Sequence, residues 1–313
     1  MRTPKVSVSI ITWNQNDYIA QAIDSVLGQE TNFEVEIWIG DDYSTDGTRE
    51  ILKKYRERYP DKIFLNLQPE RPSGIPGRLN NMTNLASCRG QYIAMLDGDD
   101  FWTSSAKLQR QADVLDAEPT LSGVAHDATI SYEGEVGEHQ KFSQMVYPIH
   151  AGTTLVTLED LLILPAFQTS TFMFRPHTAL PLPEWFTRLP AADWGLFALV
   201  ASRGSIAILP EAMSVYRRHS SSETAKISQV SLRKHLWRYE NFRMLANSFP
   251  DKHRSKRWKA QDIKNRLWIA AENGEYLSIL INFIRLGVFY DRSFLEKLMA
   301  DPKKYLKYAL NIK

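Results

Sequence analysis

Three aspartates fall within four positions, Asp97, Asp99 and Asp100, in the segment YIAMLDGDDFW (92–102). The five residues before them read as a buried strand, so the chain delivers acid to the mouth of its own core. Carboxylates that close repel one another unless something positive comes between them. Two carboxylates one residue apart can hold a hard divalent cation, because Mg²⁺ and Mn²⁺ prefer carboxylate oxygens and share their shell with substrate phosphates. Gly98 keeps the turn uncrowded. The plainer alternative is a solvated turn in which Asp100 caps the next helix.

A second acidic group ends another strand, in GDDYSTDGT (40–48). Ser44 or Asp46 suits the start of a helix. Capping does not account for Asp41 and Asp42 ahead of them, and a carboxylate there can accept hydrogen bonds from a base or a ribose. In PAADWGLFALV, Asp193 opens a helix read as amphipathic, where the helix dipole favours an acid and a cap is a strong competing account. In SVYRRHSSSE, His219 follows Arg217 and Arg218. That trio can bind diphosphate or join a metal shell, although a lone histidine is more often structural.

These groups need elements to hold them. KVSVSIIT (5–12) is β-branched and predicts a strand. NDYIAQAIDSVLGQ (16–29) places Ile19, Ala22, Ile23, Val26 and Leu27 at helical spacing, with Asp17 placed to cap it and Gly28 to end it. EVEIWIG (34–40), KIFLNL (62–67) and QYIAMLD (91–97) predict further strands. REILKKYRERY, Asn80–Arg89 and SAKLQRQADVLDAE predict the helices between and after them. Alternation at this pitch implies βαβ units and a mainly parallel sheet, whose ligands bind outside the carboxyl ends of the strands. Both acidic groups sit at carboxyl ends. Further on, SGVAHDATISY and FQTSTFMFR (167–175) read as strands, ADWGLFALVASRG as a helix, and SIAILPEAMSVYRRH as two short strands. FQTSTFMF suits either the acceptor side of a site or a sheet edge. From about 229 the pattern is helical to the end.

The 313 residues suit one large domain plus an appendage. Residues 1–229 hold 20 Lys and Arg against 28 Asp and Glu, and residues 230–313 hold 18 against 8. That break sets a basic tail apart. Cys88 is the only cysteine, which excludes an intramolecular disulfide and a cysteine-rich zinc cluster. The apolar run near the start is too short for a secretory signal and reads as the first strand. No stretch reaches the roughly 18–20 apolar residues of a membrane span.

VSVSIITWNQNDYIAQAIDSVLGQ, EVEIWIGDDYSTDGT, RGQYIAMLDGDDFW, AADWGLFALVASRG and VYRRH come in the order and at the spacing of family 2 glycosyltransferases with the GT-A fold. The resemblance covers roughly residues 4–222, and its nearest flavour is bacterial and non-processive. It implies a GT-A, Rossmann-like α/β domain over 1–228 and a helical extension over 229–313. It implies inverting transfer from a nucleotide-diphosphate sugar, a UDP-sugar by preference, to a glycan or lipid-linked hydroxyl in surface polysaccharide or glycoconjugate synthesis, with Mn²⁺ or Mg²⁺ as cofactor. Asp42 resembles the residue that contacts the nucleoside. Thr12, Trp13 and Asn14 resemble the nucleotide-facing T-Y-N segment, with tryptophan in place of the commoner tyrosine. Asp97 and Asp99 resemble the DxD motif, Asp99 as metal ligand and Asp97 nearer the ribose. Asp193 resembles the catalytic base, and His219 the histidine beside the metal or diphosphate. Arg217 and Arg218 are phosphate partners by position. Asn80 fits an asparagine upstream of the DxD strand, although its usual glycine and arginine neighbours are only partly matched.

A haloacid-dehalogenase-type phosphatase also puts DxD after a strand, but its nucleophile comes early, whereas here three strands precede residue 97. The alternative of a different class is a glycosyltransferase-like sugar- or partner-binding protein without turnover. The presence of Asp99, Asp193 and His219 together speaks against it. The basic tail carries no nucleic-acid module. It either packs on the catalytic domain or rests on an anionic membrane surface. Both readings place the chain in the cytoplasm, the second at the inner face of the membrane.

Overall fold

The computed structural model describes residues 3–132, 140–145, 154–163, 165–219, 231–250 and 256–273. The chain divides into two compact units, Met1–Ser220 and Ser221–Lys313. The first runs β1 (Val6–Thr12), α1 (Ile19–Leu27), β2 (Val35–Asp41), α2 (Thr48–Arg58), β3 (Ile63–Leu67), α3 (Arg78–Ser87), β4 (Tyr92–Asp97), β5 (Phe101–Trp102) and α4 (Lys107–Ala117). It continues with β6 (Gly123–Tyr132), α5 (Phe142–Met145), β7 (Thr154–Val156), α6 (Leu158–Leu161), β8 (Met173–Phe174), α7 (Ala192–Ala201) and β9 (Ile206–Arg218).

One mixed sheet has the order β3-β2-β1-β4-β8-β6-β9-β5, with β7 pairing β9. The long neighbours β3, β2, β1 and β4 are parallel, as are β6 and β9. The fold is α/β, with a largely parallel central sheet flanked by helices. Central position explains composition: Val6, Val8 and Ile10 of β1 and Ile93, Ala94 and Leu96 of β4 are almost wholly buried, as strands covered on both faces require. β1 aligns Thr12 with Asp41 and Ile11 with Asp97. Three strand ends therefore open side by side.

Several local expectations are corrected. The N-cap of α1 is Tyr18 rather than Asp17, although Gly28 does end the helix. The N-cap position of α2 is Gly47, at φ 102°, rather than Ser44, although Asp46 Oδ1 does accept the N–H of Thr48, the first residue of that helix. Segment 167–175 is no edge strand. It forms a 3₁₀ turn (Thr169–Thr171) and then β8, which lies inside the sheet between β4 and β6. Residues 206–218 form one strand rather than two. Opposite Pro210 and Glu211 the β6 register slips, with His126 facing Leu209 and Asp127 facing Ala212. Proline has no N–H for the ladder, and a bulge lets the strand continue past it. Helix α7 is not amphipathic: Trp194, Leu196, Phe197, Ala198 and Val200 are all buried, so nearly every face is covered.

In the second unit, helices Ser231–Asn247 and Lys256–Asn273 are described. Phe242 stacks on Trp258 with ring centroids 4.8 Å apart, and Leu245, Ala246, Leu267 and Ala270 are buried. The helices expected beyond 273, and the first half of the charged stretch Lys252–Lys259, lie outside the described residues, as do parts of the loops at 131–170 expected near an acceptor. Among the described residues no helix is long and apolar enough to cross a membrane.

Candidate active site

The ends of β1 and β2 are sewn together by side chains that meet backbone. Asn14, at φ 50°, gives its N–H to Ser44 Oγ (2.8 Å) and accepts the Thr45 N–H on Oδ1 (2.9 Å). Thr48 Oγ1 accepts the Gln15 N–H, and Asp46 accepts those of Asn16 and Thr48. Residues that resemble helix caps therefore serve mainly to fix two loops. Asp41 is neutralised locally, by Arg49 Nε at 2.5 Å and the Ser44 N–H at 3.0 Å. Asp42 accepts the Gly77 N–H on Oδ2 at 3.0 Å, and its Oδ1 is buried with no partner. An orphaned buried acceptor beside an open strand end suits a donor arriving from outside. Trp13 carries the Arg71 guanidinium 4.2 Å above its ring. Asn80 donates to the Gly40 carbonyl at 2.9 Å, so its amide supports β2 from beneath.

At the end of β4, a Cβ at Gly98 would lie 2.4 Å from Gln15 Oε1 and 2.9 Å from Thr12 Cβ. Only glycine lets this turn approach β1 so closely. Asp100 caps nothing, for α4 starts at Lys107. It accepts Gln168 Nε2 (3.0 Å), Ser170 Oγ (2.6 Å) and the Arg217 N–H (2.9 Å). Burial, with Asp99 alongside, still pushes its carboxyl up to about 8. Burial likewise raises Asp97 well above the usual carboxylate range, reinforced by the charges of Asp100, Asp99 and Asp193. Asp99 Oδ2 sits 3.0 Å from His219 Nε2, and the imidazole leans on the Tyr18 ring at 5.0 Å.

Arg217 and Arg218 leave β9 on opposite faces, as successive strand residues must. Arg217 Nη1 donates to the Asp99 carbonyl at 2.5 Å, Nη2 reaches Gln21, and the guanidinium lies 4.5 Å over Phe101. It holds the acidic turn from behind. Arg218 lies near Tyr132 and Tyr216, with ring centroids at 5.8 and 5.9 Å.

Asp193 sits in the first turn of α7, whose N-cap is Ala191. Its Oδ1 accepts the Trp194 N–H at 2.7 Å. Burial raises its carboxyl, and the Trp194 N–H and the Arg78 charge draw it back. Asp193 in turn raises Asp97, so the two carboxylates lie within electrostatic reach of each other. The structure thus groups Asp97, Asp99, Arg217 and His219, brings Asp193 within electrostatic reach, and sets Thr12 and Asp42 alongside. Arg218 and Asn80 turn elsewhere. Arg78, Gln168 and Ser170 carried no pattern in the sequence: each is a single polar residue whose partner lies tens of residues away.

Among the described residues no three His, Cys, Asp or Glu side chains converge to form a metal cage. Asp99 and His219 offer one oxygen and one nitrogen, and the crowded acids beside them are short of positive charge. That donor set fits a cation whose shell is completed by ligand phosphates.

A family model described as glycosyl transferase family 2 matches residues 7–178. An uncharacterised protein of Mycobacterium tuberculosis is 32% identical over 219 residues, covering 69% of this chain but only 59% of the relative. A putative teichuronic acid biosynthesis glycosyltransferase of Bacillus subtilis, TuaG, is 32% identical over 193 residues, 61% of this chain and 71% of its own. Two solved structures share the fold at low identity. A mannosyltransferase of Pyrobaculum calidifontis in complex with GDP-Man and Mn²⁺ has a TM-score of 0.63 at 16% identity, covering 99% of this chain and 84% of that one. S. aureus TarS (1–349) in complex with UDP-GlcNAc has a TM-score of 0.56 at 17%, covering 98% and 92%. With more than half of its length matched by the family model, and with the acidic turn of β4 and most of β9's partner strands inside the match, this chain belongs to glycosyl transferase family 2.

Proposed function

We propose that this protein transfers a sugar, with inversion, from a nucleotide-diphosphate donor to a hydroxyl of a glycan or lipid-linked acceptor. UDP is the preferred nucleotide, and the products are surface polysaccharides or glycoconjugates. The observation that carries this reading is a grouping of acids: the buried carboxylate of Asp193 lies near enough to raise Asp97, on the same acidic turn whose Asp99 contacts His219. The names of the relatives support the product class, and the bound UDP-GlcNAc and GDP-Man of the two solved neighbours support the donor class.

In this reading Asp42 takes the nucleoside on its unpartnered oxygen, Trp13 stacks on the base, and Thr12 and Asp97 line the ribose. Asp193 accepts the proton of the acceptor hydroxyl as that oxygen attacks the anomeric carbon. Attack on the face opposite the leaving diphosphate inverts the centre, and one base suffices. Burial suits Asp193 to the task, because a carboxylate shielded from water is a stronger base than a solvated one. Asp99 and His219 would hold Mn²⁺ or Mg²⁺, which when bound supplies Lewis-acid relief to the diphosphate charge. Arg217 keeps the Asp99 backbone in place throughout. As the alternative to a solvated basic face, the basic tail (230–313) offers a contact with the inner face of the membrane, where lipid-linked acceptors lie.

The test is calorimetric titration of UDP, GDP and dTDP, each with Mn²⁺ and with chelator, on wild type and Asp99→Ala. Binding of one nucleotide only with metal, lost in the variant, is the expected result. Absence of binding under every condition would replace this reading with that of a sugar- or partner-binding protein.

A further inference from the structure

Arg78 is a buried cation that the reaction above does not use. It is 7% exposed, and its Nε and Nη1 have no hydrogen-bond partner. A guanidinium is costly to bury, so its setting calls for a reason. Arg78 opens α3 directly after Gly77, whose N–H is held by Asp42. Its other end reaches across 111 residues of sequence: Nη2 donates to the Leu189 carbonyl, and the plane lies 5.0 Å over the Phe186 ring. Leu189 and Phe186 are the residues against which α7 starts. A Cβ at Gly195 would come within 2.3 Å of Leu189 and 3.4 Å of Phe186, so the first turn of α7 rests directly on them. That turn carries Asp193.

Arg78, next in the chain to the glycine held by Asp42, therefore links the donor side to the segment that aims the candidate base. We propose that Arg78 is a positioning residue for Asp193, fixing the start of α7 against the donor side of the crevice. It makes no hydrogen bond to Asp193 itself. Its influence passes through the Leu189 carbonyl and the Phe186 ring, and through charge, which favours the ionised Asp193. The residue type agrees. The rigid fork of arginine can satisfy a carbonyl and an aromatic face at once, whereas lysine offers only a point charge.

The inference rests on Asp193 being the base, and the experiment separates the two. Wild type, Arg78→Lys and Arg78→Gln are compared by amide hydrogen exchange, by UDP titration with Mn²⁺, and by steady-state turnover of UDP-sugars across pH. In Arg78→Gln, exchange should quicken over residues 189–195 and stay unchanged in β1. UDP affinity should stay within about twofold, while kcat falls by about 10²-fold, the cost of a small misplacement. The acidic limb of the kcat–pH profile should move to higher pH, since the ionised base has lost a cation. Arg78→Lys, which keeps the charge and should fold if the glutamine variant does not, should hold the limb near its wild-type position and recover part of the rate. Unchanged exchange at 189–195, or UDP affinity falling in step with turnover, would overturn the proposal, the latter by making Arg78 a donor ligand. A wild type that binds UDP but transfers nothing would defeat the transferase reading, and the exchange data would still decide whether Arg78 fixes the turn.

Discussion

Two strands, β2 and β4, end in acid on either side of β1, and the two ends are handled in opposite ways. At β2, Asp41 is met at once on its Oδ1 by Arg49 and the Ser44 N–H, and one oxygen each of Asp41 and Asp42 is left without a partner. At β4, the donors given to Asp100 are an amide, a hydroxyl and a backbone N–H, and the charges on Asp97, Asp99 and Asp100 remain crowded. Arg217, the guanidinium that holds this turn, gives its Nη1 to a backbone carbonyl. A protein that wanted a quiet turn would repeat the β2 solution. Leaving β4 short of positive charge makes it the end at which a cation or a phosphate-bound cation is worth most.

The sharpest way to break this comparison is at Asp193, the carboxylate whose charge reaches the β4 acids. Asp193→Asn should lower turnover by about 10²–10⁴-fold, the usual worth of a general base, with nucleotide affinity little changed. Steady-state kinetics beside calorimetry checks it, and full turnover would remove Asp193 from the chemistry. The β2 end should respond in stability instead. Arg49→Met leaves Asp41 buried without its cation and should cost about 3 kcal/mol, the low end for a broken buried pair because Arg49 keeps some contact with water. Urea midpoints measure it, and a loss of activity without a loss of stability would make the two ends alike. Asp42→Asn should weaken UDP by about 10- to 100-fold, the worth of a charged hydrogen bond, equally with and without chelator. Dependence of that loss on metal would blur the division between the ends.

The smallest effect comes from the opposite end of β2. Buried Glu36 accepts Ser7 Oγ and three N–H groups of Arg89. Burial alone would raise its carboxyl, but the Arg89 and Ser7 hydrogen bonds outweigh that and lower it below the ordinary 4.5. A lowered folded value means stability that is present above the ordinary carboxylate range and is lost as pH falls through the folded value. Wild type should therefore shed more Tm than Glu36→Gln between neutral pH and the acid side of 4.5. Parallel melting curves would show that Glu36 is as poorly compensated as the β4 acids.

How much of this could be read from sequence follows from range. β1, β2, β3 and β4 announce themselves through local apolar runs, and the acids at their ends mark the crevice before any coordinates exist. Asp99 and His219, 120 residues apart, were joined in advance only through family resemblance, because spacing says nothing about such a contact. The misreadings have local causes. Asp17, Ser44, Asp46 and Asp100 all have capping chemistry; Asp46 divides it between the first residue of α2 and the loop at Asn16, while Ser44 and Asp100 use it on a neighbouring loop or strand instead. FQTSTFMFR is apolar enough for a strand, yet Gln168 and Ser170 bend it into a turn to reach Asp100. Pro210 suggested a break where a bulge sufficed. Arg78 was invisible because its partners, a carbonyl and a ring, leave no signature in sequence.

The supports of Asp100 have one more consequence, for the order in which the molecule is made. Gln168, Ser170 and Arg217 lie 68, 70 and 117 residues downstream of it. A chain leaving the ribosome completes β1 to β4 long before any of them exists. Contacts of such long sequence separation also form late in folding. The nascent protein therefore carries a bare acidic turn until its second half docks, and the site becomes competent only as the last strand closes.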